Sequence, residues 1–179
     1  MDAEAPFDTR AFREALGWFP TGIAVMTASS TEASHIGITV NSFTSVSLDP
    51  PLVLWCIDTR SRRYPAFANA PSFTVSILAS NHKAVSARLA GAGEHSLDGI
   101  ALVETENGPP ALADSLAVFE CARESVQEAG DHAIIIGRVL RFARHEGAGA
   151  PLVYFKGKYG ALAQEAPPGI EGRRTTDKD

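Results

Sequence analysis

The sequence is poor in cysteine, has no excess of basic residues and contains no long apolar run, and each shortage excludes a class of protein. Its two cysteines, Cys56 and Cys121, form no CxxC pair and have no histidine at zinc-ligand spacing, so no metal site is predicted. The net charge of −5 lacks the basic footprint of a protein that binds nucleic acid or an anionic membrane. No segment approaches the roughly 18 apolar residues of a membrane helix.

Several sequence motifs are also missing. No GxGxxG follows a predicted strand, which argues against a doubly wound dinucleotide fold, and no GxSxG marks the nucleophile of a hydrolase. Residues 1–9 are acidic and polar, unlike a signal peptide. Two separate cysteines, interpreted as buried reduced thiols, fit a reducing compartment, so a cytoplasmic protein without membrane contact is predicted.

What the sequence does contain is a series of short apolar segments, many of them rich in β-branched residues. Strands are predicted at residues 23–27, 52–57, 72–78, 117–122, 133–144 and 152–155. Helices are predicted at residues 9–16, 64–69 and 82–90. Many strands with a few short helices favour a mainly β protein with a closed or split β-barrel. One domain is predicted over residues 1–164, followed by a disordered tail at 165–179, where the apolar pattern is lost.

Residues 36–47 form an uncharged run of β-branched and small hydroxyl residues, which Asp49, Pro50 and Pro51 end. Such a run is too polar for a plain core strand and too uncharged for a solvated one. Short side chains would let the backbone approach a planar heteroaromatic ligand, and Asn41 and Ser42 can both donate and accept hydrogen bonds. The alternative is a Thr-rich strand with a polar outer face.

A basic loop, residues 59–63, follows the next predicted strand. Its three arginines and two hydroxyl residues suit a phosphate group, because arginine offers a bidentate fork and hydroxyls add neutral donors. The alternative is a solvated basic loop. Its position one strand after the uncharged run allows a ring site and a phosphate site at the two ends of one ligand.

The segment Gly130-Asp131-His132 immediately precedes a predicted strand. A histidine there can stand at the mouth of a barrel and present its imidazole near neutral pH. The alternative is a simple turn in which Asp131 bonds the backbone.

Three ordered segments resemble the flavin reductase family, the short-chain NAD(P)H:flavin oxidoreductases that serve two-component monooxygenases. They are residues 19–27, residues 37–54, and Gly130-Asp131-His132 with Gly137-Arg138-Val139, and the likeness runs from about Phe12 to Leu162. The resemblance implies an FMN-binding split barrel of Greek-key type with a few flanking helices. It also implies a homodimer with the flavin near the subunit interface.

The resemblance implies where the flavin ring and its phosphate bind. Cys56 and Ile57 would pass beneath the isoalloxazine ring, and Ser61 and Arg62 would hold the phosphate. Four consecutive residues would line the ring edge, largely through their backbone groups: Thr39, Val40, Asn41 and Ser42.

Other implied contacts come from later segments. Ser80 and His82 would approach the flavin from another side, although Asn81-His82 replaces the Asp-Gln common in the family. His132 would sit over the ring face where nicotinamide stacks, and Tyr159 would close the same pocket. The Leu89-Ala90 pair, which replaces a common Phe-Ala, is a second departure.

The implied activity is hydride transfer from NADH to FMN, with reduced flavin passing to a partner monooxygenase. FAD and NADPH are the alternative cofactors. Two other functions stay open: an FMN-bound reductase of a corrinoid or ferric complex, and a flavin-binding protein without catalysis. The Gly-Asp-His segment argues mildly against the second of these.

Overall fold

The computed structural model describes residues 7–30, 35–91, 96–145, 147 and 149–162. The predicted tail at 165–179 lies outside these residues. The helices are α1 (Thr9–Leu16), α2 (Tyr64–Asn69) and α3 (Lys83–Ala90), with a 3₁₀ turn at Ser80–His82 before α3. The strands are β1 (Thr21–Gly22), β2 (Ala24–Ser29), β3 (His35–Val40), β4 (Thr44–Leu48), β5 (Pro51–Asp58), β6 (Ser72–Ile77), β7 (Leu102–Val103), β8 (Ala111–Leu112), β9 (Ala117–Ala129), β10 (His132–Arg144), β11 (Val153–Phe155) and β12 (Lys158–Gly160). The prediction of a mainly β protein is confirmed.

Seven strands form one antiparallel sheet in the order β3-β2-β6-β9-β10-β5-β4. A smaller sheet joins β1, β11 and β12, and β7 pairs with β8. The main core is built around Trp55, whose ring centre lies 5.1 Å from that of Phe67 and 5.9 Å from that of Phe73. The small sheet belongs to a second apolar cluster, which Ile23, Leu89 and Leu152 help to form.

Helix α1 begins where its capping residue predicts. The Asp8 carboxylate accepts hydrogen bonds from the backbone N–H groups of Arg10 and Ala11, at 2.9 and 3.0 Å. An aspartate at this position satisfies donors that the first turn leaves free. None of the residues of α1 is buried, so its apolar face is exposed in the single chain.

The structure corrects two strand predictions. The uncharged run is not one strand, because residues 41–43 separate β3 from β4. Strand β9 continues to Ala129, well beyond the predicted end at residue 122. Its charged second half has little apolar pattern of its own, and pairing with β10 holds it in place, aided by the bidentate contact of Arg138 with Glu124 at 2.8 and 2.9 Å. No helix in the described part of the chain has the length and apolar character needed to cross a membrane.

Candidate functional site

Three neighbouring cavities follow strand β3. The central cavity, about 140 Å³, is lined by Thr39, Val40, Asn41 and Tyr159 among others. The loop cavity, about 490 Å³, lies against residues 60–63 and shares Ala90 with the central cavity. The helix cavity, about 530 Å³, lies against the end of α1 and shares Asn41 and Tyr154 with the central cavity. The central cavity is therefore the link between the other two.

Hydrogen bonds tie the walls of the central cavity together. Thr39 donates from its hydroxyl to the backbone oxygen of Ser86 at 2.9 Å, which joins β3 to α3. The Ser86 hydroxyl in turn lies 3.0 Å from the Tyr159 hydroxyl, which joins α3 to β12. Tyr159 also meets Tyr154 edge-on, with ring centres 5.7 Å apart. The predicted ring-edge residue Thr39 and the predicted closing residue Tyr159 are thus brought to one cavity.

The predicted contacts beneath the ring divide between two faces of β5. The Cys56 N–H donates to the Ser42 hydroxyl at 2.9 Å, so the Ser42 side chain is hydrogen-bonded to the backbone of β5. Partial burial raises the pKa of the half-buried Cys56 thiol, and its hydrogen bond with Ser42 opposes this. Ile57 points to the opposite face, as alternation along a strand requires, and its side chain is buried in the main core.

The arginines of the basic loop have three different environments. Arg60 donates to the Asp58 carboxylate at 2.8 and 3.1 Å, and these bonds hold the pKa of Asp58 at about 2. Arg63 is buried. Arg62 is exposed, lines the loop cavity beside Ser61 and makes no side-chain hydrogen bond or ion pair with the described residues. Among the three, Arg62 has the guanidinium that is available to an anion.

Arg63 connects the walls of the groove along β3, which comprises the central, loop and helix cavities together. Its guanidinium donates to the backbone oxygens of Gly37 at 3.3 Å, Leu89 at 2.6 Å and Gly91 at 2.6 Å. These acceptors belong to β3 and to the C-terminal end of α3. Burial lowers the pKa of Arg63. The three bonds fix the loop against both elements that line the central cavity.

His132 stands at the loop end of the sheet. It begins β10 opposite Asp58 of β5, and its Nδ1 lies 2.7 Å from a carboxylate oxygen of Asp131. That hydrogen bond, together with the charge of His132, lowers the pKa of Asp131. About 45% of the His132 side chain is exposed. It lines none of the three cavities in this single copy of the chain.

Comparison with known proteins gives a consistent result. A family model described as the flavin reductase like domain matches residues 16–163. The chain is 43% identical over 158 residues to the FMN reductase (NADH) SmoA of Agrobacterium fabrum, with 88% of both chains covered. It is 37% identical to HsaB of Rhodococcus jostii, the reductase subunit of a flavin-dependent monooxygenase, over 88% of this chain and 79% of HsaB.

Solved structures agree. The NADH:FAD oxidoreductase SgcE6 of Streptomyces globisporus, in complex with NAD and FAD fragments, matches with a TM-score of 0.84 and 32% identity over 93% of this chain and 100% of that chain. The chain belongs to the flavin reductase family. The resemblance inferred from residues 19–27, residues 37–54 and the Gly-Asp-His segment is confirmed, and so is the prediction of a flavin reductase.

Two residues predicted to contact the flavin, Ser80 and His82, line none of the three cavities in this flavin reductase. Ser80 lines a separate cavity of about 380 Å³ with Asp114 and His145. His82 is buried, and its Nδ1 accepts a hydrogen bond from the Ala79 N–H at 3.2 Å, which secures the turn before α3. Both remain predictions as flavin contacts, but neither lines the groove along β3.

Sequence reasoning missed groove residues that this flavin reductase contributes from its termini. Trp18 follows α1, and Tyr154 and Lys156 belong to the β11–β12 hairpin. The signal for the hairpin was present, because Lys156-Gly157 lies between two short apolar segments. Nothing in the sequence shows that Ser86, on α3, bonds both Thr39 and Tyr159.

Proposed function

We propose that this flavin reductase transfers a hydride from NADH to FMN and supplies reduced flavin to a partner monooxygenase. The observation that carries this proposal is that the central and loop cavities meet at Ala90, with polar groups on one side and the unpaired Arg62 on the other. An isoalloxazine ring and its ribityl phosphate need that arrangement. When bound, FMN supplies the hydride-accepting ring, and the protein supplies binding and orientation.

The loop cavity fits a phosphate group. Arg62 can offer two parallel N–H donors, and the Ser61 hydroxyl lies on the same cavity wall. Arg60 adds positive charge, although Asp58 and Asp131 partly neutralise it. A phosphate site in the loop favours FMN over riboflavin as the ligand. The names of the relatives include both FMN and FAD and do not decide between them. Our choice of FMN rests on the chemistry of the loop.

The ring edge is proposed to lie against Thr39, Val40, Asn41 and Ser42. Pairing of β3 with β2 ends at Val40, and pairing of β4 with β5 begins at Thr44. Backbone groups of residues 41–43 therefore lie between two ladders, where a ligand can use them. Ser42 holds the Cys56 backbone, so we assign its side chain to shaping the pocket and its backbone to the flavin.

The finer fold proposed is a split barrel that works as a homodimer. The central cavity of about 140 Å³ is smaller than the roughly 300–1,000 Å³ of ordinary ligand pockets, so a second copy is proposed to complete it. His132 is then proposed to orient the nicotinamide where two copies meet, since it does not line the central cavity of its own chain. The two free cysteines and the use of NADH support the cytoplasm as the compartment.

The test is steady-state oxidation of NADH and NADPH with FMN, FAD and riboflavin as acceptors. We expect NADH and FMN to be the best pair. Oxidation of neither nucleotide with any flavin would overturn the proposal. His132→Ala should slow NADH oxidation at saturating FMN, and unchanged turnover with unchanged NADH dependence would remove His132 from the mechanism.

A further inference from the structure

The helix cavity is a second binding region beside the central cavity. At about 530 Å³ it is larger than the central cavity, with which it shares Asn41 and Tyr154. The proposed flavin occupies the central and loop cavities. The helix cavity is therefore the space left next to the ring for part of a second reactant.

The chemistry of its wall favours an anion attached to an aromatic base. Arg13 and Lys156 bring two positive charges, and Trp18 brings an indole ring. Arg13 makes no ion pair within the described residues. Glu14 lies on the same wall, but its carboxylate binds Arg10 at 3.2 Å.

Trp18 and Lys156 are held together as a unit. The Lys156 ammonium lies 3.1 Å from the centre of the Trp18 ring, and the Lys156 N–H donates to the Gly17 backbone oxygen at 2.9 Å. Lys156 and Gly157 both have left-handed φ values, +49° and +75°, as the central residues of a tight hairpin turn require. The turn therefore positions the lysine above the indole.

The Trp18–Lys156 unit is not part of the hydrophobic core. The residue Trp18 is 66% exposed, although an indole with a purely structural role is normally well covered. An indole face that the lysine leaves open can stack on a purine base, and an ammonium or guanidinium can bind a phosphate.

From this geometry we infer that the helix cavity binds the adenosine diphosphate half of the pyridine dinucleotide, with Lys156 and Arg13 on its phosphates and Trp18 against its base. The inference rests on the proposed function, since it assigns the NADH that the central cavity would oxidise. The nicotinamide half would then reach the exposed face of the flavin ring past Asn41 and Tyr154.

The first experiment compares NADH with 1-benzyl-1,4-dihydronicotinamide, a hydride donor that has no phosphate and no adenosine. Lys156→Gln should lower kcat/KM for NADH about tenfold, as expected for a lost charge-assisted hydrogen bond, and leave kcat/KM for the benzyl donor unchanged. Lys158→Gln is the matched control, because it removes the same charge from the same hairpin at a residue outside the cavity wall.

The outcomes separate the two proposals. An equal loss with both donors, or no loss with NADH, overturns the subsite. A wild-type protein that oxidises neither donor in the presence of flavin overturns the proposed function instead.

The second experiment measures binding without turnover. Calorimetric titration of the flavin-free protein with ADP should show binding that weakens about tenfold in Arg13→Gln and more in the Arg13→Gln, Lys156→Gln double variant. Affinity should fall as salt is added, because the contacts are ionic. Absence of ADP binding to the wild type, or equal binding to the double variant, overturns the subsite.

Discussion

Three arginines lie within residues 60–63, and their side chains do different things. Arg60 is paired with Asp58, Arg63 is buried against backbone oxygens, and Arg62 is exposed without a side-chain partner in the described chain. The sequence predicted a basic loop suited to phosphate, and the family resemblance implied Ser61 and Arg62 as its phosphate contacts. The sequence could not show how Arg63 is used, because its acceptors on β3 and at the end of α3 are distant in the chain.

Arg62 is expected to make the protein bind FMN more tightly than riboflavin, which lacks the phosphate. Arg62→Gln should weaken FMN binding about tenfold, because one charge-assisted contact is lost, and leave riboflavin binding unchanged. Flavin fluorescence quenching measures both affinities. Arg60→Gln, with the same change of charge, should have a smaller effect since Arg60 is already paired. An equal loss of affinity for FMN and riboflavin would contradict the assignment.

Arg63 is expected to support the groove rather than to bind phosphate. Arg63→Met leaves the buried oxygens of Gly37 and Leu89 without donors and should lower the free energy of unfolding by about 3 kcal/mol. Urea unfolding measures the loss. Arg63→Lys should recover part of it, because an ammonium can still donate to some of these oxygens. A loss of phosphate affinity with unchanged stability would place Arg63 in the phosphate site instead.

At the scale of elements, prediction succeeded where the local signal is complete. Helix α1 has its cap at Asp8, and α2 lies at the predicted residues. Strands β7 and β8 have two residues each and were not predicted, since two residues carry no periodicity. The division between β3 and β4 was missed because residues 41–43 have the same uncharged character as the strands on either side.

Gly137, in the segment Gly137-Arg138-Val139, lies where the core leaves no room for a side chain. A Cβ at this position of β10 would overlap the Phe73 ring and lie 3.1 Å from the Cys121 Cβ. Phe73 packs against Trp55, so it cannot move aside without disturbing the core. Gly137→Ala should therefore lower the free energy of unfolding by about 1–3 kcal/mol.

Thermal or urea unfolding checks this expectation. Gly160→Ala is the control, because a Cβ there meets no atom within 4 Å and should leave stability nearly unchanged. Equal stability of the two variants would mean that the Phe73 ring has room to shift.

At the scale of the whole molecule, the site depends on elements that the sequence alone does not bring together. The groove combines β3, the loop after β5, α3 and the β11–β12 hairpin, and Arg63 and Ser86 are the residues whose hydrogen bonds join them. The family resemblance named in advance several residues that line the central and loop cavities, among them Thr39, Asn41 and Arg62. It did not indicate that His132 would be missing from the lining of the three cavities, because such a placement depends on how β10 is registered against β5.

The proposed homodimer would cover apolar side chains that are exposed in the single chain. Phe43, Phe119 and Phe142 form a row with ring centres 5.7 and 6.4 Å apart, and the last of them is 71% exposed. Leu48, on the edge strand β4, is 93% exposed. Apolar groups on a sheet edge invite pairing with another chain, so we expect this surface to be covered by a second copy.

Phe142→Glu tests this arrangement because it puts a charge into the apolar row. Light scattering after gel filtration should show a dimer for the wild type and a monomer for the variant. One chain offers a central cavity of only about 140 Å³. If the second copy forms part of the pocket, the monomer should therefore also bind FMN more weakly, by about tenfold or more. Val103→Glu, at an exposed apolar residue in the separate two-stranded sheet of β7 and β8, should change neither property. A wild type that is monomeric and still binds FMN and oxidises NADH would show that one copy completes the pocket, and would return His132 to a role within its own chain.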